Sequence, residues 1–196
     1  MGLTIGIAVF ENAEELDVVG PWEVLAFWAQ YWPDDDVNVF TVAQEDGPVR
    51  CAKGMRILPD HTWDSAPEMD VLVYPGGQGT RVQVKDEAVQ GWIKKIAGSG
   101  ALMTSVCTGA LVYAGAGFLK DRPATTHWEN FDELLAIDPS IKADKESRFV
   151  DDGDVITAAG VSAGIDMALH LVARLHSKDR AKQVRRGIQY DPEPPV

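Results

Sequence analysis

Apolar residues in this chain fall into short runs separated by longer stretches with helical spacing. Leu3 to Phe10 is almost continuously apolar, as a strand covered on both faces should be. Val37 to Val42 alternates and predicts a second strand. Met69 to Tyr74 and Ala101 to Val106 are two more buried-strand runs. Between them, Trp22, Val24, Leu25, Phe27 and Trp28 populate a helix opened by Gly20-Pro21, with Pro21 at a tolerated first-turn position. Val89, Trp92, Ile93 and Ile96 mark a helix over 86–97, and the small residues from Thr108 to Ala116 mark another. Ile165, Met167, Ala168, Leu169, Leu171 and Val172 give a broad apolar face to a long helix reaching about His176, with Ser162 as its N-cap. A last helix begins at Lys178 and is ended by Pro192, Pro194 and Pro195.

Polar stretches punctuate these elements. Glu11 to Asp17 reads as an acidic loop, and Asp34-Asp35-Asp36 as a solvated one. Val49 to Asp60 predicts a hairpin around Ala52-Lys53-Gly54, and Arg148 to Thr157 a second around Asp151-Asp152-Gly153-Asp154. Gly117 to Thr126 reads as irregular, followed by a short helix from Asn130 to Ala136. There is no repeat, low-complexity segment or linker, so residues 1–196 are expected to form one domain. Strands alternating with helices predict an α/β fold with a mostly parallel sheet flanked by helices. Sites in such sheets lie at the carboxyl ends of strands, near the topological switch point.

Composition narrows the classes of function. Hydrophobic content of 45% and charged content of 24% suit a soluble globular protein. The net charge of −12 argues against nucleic acid, since the only basic cluster is Lys178 to Arg186. No apolar run is long enough to span a bilayer, and no Lys or Arg precedes Leu3 as a signal peptide would need. Gly6 stands where a myristoylation motif needs Ser or Thr. The two cysteines, Cys51 and Cys107, do not make a secreted disulfide framework. Both thiols are expected to be free, in a cytoplasmic protein.

Cys107 stands at the joint between the apolar run ending at Val106 and the small-residue helix. A residue on such a turn projects above the sheet beside a helix N-terminus, where N–H groups and the helix dipole favour a thiolate. Ser105-x-Cys107-x-Gly109 fits the crowding of that turn. Taken locally, an inert buried cysteine reads equally well. Gly76-Gly77-Gln78-Gly79 follows a strand and is neither a dinucleotide fingerprint nor a phosphate-binding loop. The N–H groups of Gly77 and Thr108 are candidates for stabilising developing negative charge, with Gly76 beside them. Asp17, set between Leu16 and Val18-Val19, is the best candidate for a carboxyl sharing a proton with Cys107, and a helix-leading cap is its plain alternative. Glu14 and Glu15 look like solvated charges. His127, before Trp128, is more often a pocket-lining residue than a base. His170 and His176 are six apart on one helix and suggest no metal site; His61 in its hairpin suggests nothing.

Together these residues resemble the ThiJ/PfpI superfamily, which has a flavodoxin-like, class I glutamine amidotransferase-like sandwich with a cysteine nucleophile elbow. The resemblance is carried by Leu16-Asp17-Val18-Val19-Gly20-Pro21, Tyr74-Pro75-Gly76-Gly77, Ser105-Val106-Cys107-Thr108-Gly109, Ala124-Thr125-Thr126-His127-Trp128, Gly160-Val161-Ser162-Ala163-Gly164-Ile165-Asp166 and Gln189-Tyr190-Asp191-Pro192. The chain looks closest to isonitrile hydratases and to the ligand-sensing domains of AraC-type regulators. Peptidase-like members carry His directly after the cysteine, where Thr108 stands here. Glyoxalase-like members use a glutamate near the cysteine, where the matching position here looks like Asp17. On this resemblance the chain is expected to lack the basic helix-turn-helix extension of an AraC-type regulator, the sequence as read ending at Pro194-Pro195-Val196, whereas some hydratases continue beyond this point. The resemblance implies an enzyme that hydrates isonitriles to N-formamides with Cys107 as nucleophile, Asp17 as proton donor and Thr108 beside them. Gly76, Gly77 and His127 would bind substrate and steady charge. It implies no cofactor or metal, a small-molecule substrate and a homodimer. Glyoxal hydration on the same cysteine, or a ligand- or redox-sensing module without turnover, are the alternatives.

Overall fold

The structure, a computed structural model, describes residues 2–193. In chain order the elements are β1 (Leu3–Ala8), α1 (Glu15–Tyr31), β2 (Val37–Ala43), β3 (Val49–Arg50), β4 (Arg56–Ile57), β5 (His61–Thr62), β6 (Val71–Tyr74), α2 (Thr80–Gln83), α3 (Glu87–Gly98), β7 (Leu102–Val106), α4 (Gly109–Gly115), β8 (Pro123–Ala124), α5 (Phe131–Ile137), β9 (Lys142–Ala143), β10 (Phe149–Asp151), β11 (Val155–Ala158), α6 (Ala163–Leu175) and α7 (Lys178–Gly187). Seven strands form one sheet in the order β10-β11-β7-β6-β1-β2-β5. Every neighbouring pair runs parallel except β10–β11. The continuous apolar runs become the centre of this sheet, where β6 and β7 are buried at every position. Strand order reverses direction between β1 and β6, so the loops after these strands meet at the switch point.

Several expectations are corrected. The first helix begins at Glu15 rather than Gly20, which puts Pro21 inside it and Asp17 in its first turn. Pro21 lacks the N–H that would bond the Asp17 carbonyl, a loss that normally disfavours a helix interior. Close packing on α6 offsets it. A Cβ on Gly20 would lie 3.2 Å from Ile165, and one on Gly164 would lie 3.2 Å from the Pro21 ring. Ser162 does not cap α6 with its side chain; its hydroxyl instead accepts from Arg148 Nη2 at 3.1 Å. His61 belongs to an edge strand paired with β2 rather than to a hairpin. Within the stretch read as irregular, Pro123–Ala124 pairs in parallel with Lys142–Ala143. The hairpin at 49–57 forms as expected, with Val49 opposite Ile57. The last helix ends at Gly187, before Pro192, and Pro194 and Pro195 lie outside the described residues.

The aspartate run after α1 is not simply solvated. The Asp35 carboxylate accepts from Trp28 Nε1 at 2.6 Å and from Arg180 Nε and Nη2 at 2.6 and 3.0 Å, with His176 Nε2 at 3.2 Å. This ties α1 to α7 at the end remote from Asp17. Partial burial pushes the Asp35 carboxyl up, but the Trp28 indole and the Arg180 guanidinium outweigh it, and the net shift is downward. A carboxyl held low stabilises the fold above its unfolded titration and loses that contribution as pH falls. Asp35→Ala is expected to lower the unfolding free energy by about 2 kcal/mol at neutral pH. Urea denaturation should show the gap between wild type and variant closing as pH is brought down to about 3.

Candidate functional site

Three loops meet at the carboxyl edge of the sheet. The loop after β1 is clipped to the glycine turn after β6: Glu14 N–H donates to the Gly76 carbonyl at 2.9 Å, and Ala13 bridges Gly77. That approach demands glycine. At φ +120°, a Cβ on Gly77 would lie 2.4 Å from the Asn12 carbonyl oxygen. A Cβ on Gly76 would lie 2.5 Å from Thr108 N and 2.8 Å from Asp17 Oδ2. Gly109 lets α4 come under the end of β6, since its Cβ would meet the Tyr74 carbonyl at 2.4 Å.

Cys107 follows β7 in the left-handed region at φ 56°, a conformation costly for a side-chain-bearing residue. Its N–H donates to the carbonyls of Ala158 and Ala159, both at 3.0 Å, and Thr126 Oγ1 donates to its carbonyl at 2.8 Å. These bonds from β11 and the 124–126 segment hold the turn. The side chain is 6% exposed. Val161 is also left-handed, at φ 48°, and its N–H joins that of Thr108 in stabilising a negative sulfur.

Asp17 reaches this sulfur from the first turn of α1. It is fully buried, and its Oδ2 accepts from Gly76 N–H at 2.9 Å. Its Oδ1 has no hydrogen-bond partner among the described residues. Burial raises the Asp17 carboxyl to about 7 against the opposing Gly76 N–H; the Glu14 charge adds to the rise, and the Cys107 thiol offsets part of it. Burial, followed by the Asp17 charge, pushes the Cys107 thiol up to about 12, with the N–H groups of Thr108 and Val161 working against it. The expected preference of the helix N-terminus for thiolate is therefore overridden. A buried sulfur beside a carboxylate gains more from keeping a proton than a seven-residue helix returns.

Thr108 stands at the start of α4 with its hydroxyl accepting from Gly77 N–H at 2.9 Å. The N–H groups of Gly76 and Gly77 are thus both engaged, by Asp17 and by Thr108, and are not free donors. His127 does not join the thiol–carboxyl pair. Its ring lies over Gly160, where an added Cβ would come 2.3 Å from Cδ2, and its Nδ1 accepts from Glu129 N–H at 3.3 Å. It flanks the loop carrying Val161, next to Trp128, which is 74% exposed. Glu14 and Glu15 are not solvated charges: both pair with Lys53 from the hairpin, and Lys53 N–H donates to Glu15 at 2.6 Å. Cys51 and Cys107 are both free. Among the described residues, no group of three His, Cys, Asp or Glu side chains is placed to hold a metal ion. None of the helices among them is long and apolar enough to cross a membrane.

Val161, Thr126 and Lys53 escaped the sequence reading. Val161 and Thr126 lie inside quoted motifs, yet their contribution is a backbone N–H and a hydroxyl aimed at a backbone carbonyl, which residue type does not announce.

Residues 4–174 match the DJ-1/PfpI family. The chain belongs to that family. Isonitrile hydratase from Pseudomonas putida is 37% identical over all 196 residues, which span 82% of the relative. The HTH-type transcriptional regulator CdhR of Pseudomonas aeruginosa is 34% identical over 73% of this chain, a match spanning 42% of that protein. A solved ThiJ/PfpI family protein from Pseudomonas syringae superposes with a TM-score of 0.89 at 31% identity, covering 100% of this chain and 78% of its own. Similarity therefore extends both to a relative named as an enzyme and to one named as a transcriptional regulator.

Removing the Asp17 charge should ease ionisation of the thiol. In Asp17→Asn, the pH midpoint for iodoacetamide alkylation of Cys107, followed by peptide mass to separate it from Cys51, is expected to fall by about 1–3 units. An unchanged midpoint would show that the two groups do not share a proton.

Proposed function

We propose that the protein hydrates isonitriles to N-formamides through a covalent intermediate on Cys107. The observation that carries this reading is the buried pair of Asp17 and Cys107, in which the carboxyl interacts with the thiol and Oδ1 has no other hydrogen-bond partner among the described residues. An isonitrile carbon is attacked by a nucleophile and must then receive a proton at that same carbon. A thiol and a carboxylate sharing one proton supply both. The Asp17 carboxylate takes the Cys107 proton as the sulfur attacks the terminal carbon, and returns it to that carbon. The sum of isonitrile and thiol is a thioimidate, S–CH=N–R. Water then adds to the thioimidate carbon with Asp17 as base, the nitrogen is protonated, and the sulfur leaves with its proton restored on the pair. The net change is addition of one water, with no oxidant or reductant.

The N–H groups of Thr108 and Val161 favour the transient thiolate. Gly76 and Thr108 act through position: the first holds Asp17 Oδ2, the second holds Gly77. His127 and Trp128 border the Val161 loop and are assigned to substrate contact. The full-length similarity to isonitrile hydratase supports this reaction over glyoxal hydration. The regulators among the relatives make a sensing role the reading to be separated from it.

Cys107→Ala is expected to abolish isonitrile turnover, a loss of more than about 10⁴-fold, and Asp17→Asn to reduce kcat about 10²–10⁴-fold. Full activity in Cys107→Ala sinks the mechanism, whereas isonitrile binding by wild type without product assigns the site to sensing. Since the reactive pair carries one proton, kcat/KM should fall as pH drops through about 7, where Asp17 becomes protonated.

A further inference from the structure

A cavity opens at the same edge of the sheet, apart from the cysteine site. Its volume is about 460 Å³, and none of Cys107, Asp17, Thr108 or His127 lines it. It lies between the end of β1, the connection from β2 to β3, and the helices α2 and α3. That size suits a small organic ligand.

Two aromatic pairs form its walls. Trp63 and Trp92 stack with centroids 4.7 Å apart and planes 10° from parallel; Phe10 and Tyr74 stack at 5.5 Å. The Tyr74 hydroxyl is satisfied by Gln83, so this wall presents ring rather than a free donor. Four carboxylates complete the lining: Glu11, Glu45, Asp46 and Asp86. Three of them accept only from backbone N–H groups, Glu11 from Arg50, Asp46 from Gly47 and Asp86 from Ala88 and Val89. Such bonds orient a carboxylate without neutralising it. Among the described residues, none of the four takes part in a salt bridge, and no Lys, Arg or His lines the cavity.

We propose that this cavity is a second small-molecule site, which binds an amphiphilic organic cation with its apolar body against the Trp63–Trp92 and Phe10–Tyr74 walls and its ammonium head among the carboxylates. Aromatic faces attract an ammonium within about 6 Å of the ring centroid, and uncompensated carboxylates attract it from further away. The same carboxylates repel a phosphate or carboxylate ligand. A neutral ligand of equal shape keeps the apolar contacts and loses the charge interaction.

Three probes of one shape test this: 4-phenylbutylammonium, 4-phenylbutanol and 4-phenylbutyrate, each titrated calorimetrically into the full chain. The ammonium is expected to bind one per chain, the alcohol more than about tenfold more weakly, and the carboxylate more weakly still. Trp63→Leu should weaken all binding about tenfold or more, whereas Glu11→Gln with Asp46→Asn should weaken only the ammonium. The second variant touches surface charge and carries the test alone if the first does not fold. Cys107→Ala should retain full affinity. Absence of ammonium binding, an alcohol as tight as the ammonium, indifference to Glu11→Gln with Asp46→Asn, or loss of binding in Cys107→Ala overturns the proposal. None of these outcomes bears on isonitrile turnover, which is measured separately.

Discussion

Burial of the Asp17 carboxyl beside the Cys107 sulfur is the constraint on which the site depends. Two acidic groups in a space that admits no charge cheaply cannot both ionise. One oxygen of Asp17 is held by the Gly76 N–H, and the other has no hydrogen-bond partner among the described residues. The surroundings compensate just enough for one negative charge. The Gly76 N–H serves the carboxylate, and the N–H groups of Thr108 and Val161 serve the sulfur. A proton that can rest on either atom is what an addition across a single carbon needs.

The rest of the fold maintains that closeness. Parallel strands deliver the β1, β6 and β7 loops to one edge, and the change of direction in strand order opens space there. Gly76, Gly77 and Gly109 remove the Cβ atoms that would hold the loops apart. The tight contact of α1 with α6 through Gly20, Pro21 and Gly164 sets the height at which Asp17 enters. At the far end of α1, the Asp35–Arg180 pair holds the helix to α7. Two of the left-handed non-glycine residues are at the site: Cys107 itself and Val161, whose N–H serves the sulfur.

Much of this is legible in the chain because continuous apolar runs, strict alternation and glycine-bearing turns each admit few structures. β1, β2, β6, β7 and the hairpins follow directly from such patterns, as does the elbow at Cys107. The start of α1 was not, because Pro21 and the acidic stretch before it argue locally for a loop. Only packing on α6, remote in sequence, makes a helix through Pro21 favourable. The roles of Asp35, Glu14 and Glu15 were hidden for a similar reason: a carboxylate's partners, here Arg180 and Lys53, come from distant segments. The direction of the Cys107 shift was also illegible, since helix position argues for thiolate and only three-dimensional burial argues against it. Residue type marked Gly76 and Gly77 as special but not which partners their N–H groups would take.

A covalent bond between substrate carbon and Cys107 sulfur is the centre of this account, and mass spectrometry of the acid-quenched protein during isonitrile turnover tests it most directly. The account predicts a species heavier than the chain by the full mass of the isonitrile, carried on the peptide containing Cys107. Formamide production with Cys107 unmodified at every time point, or with the added mass on another residue, would contradict it.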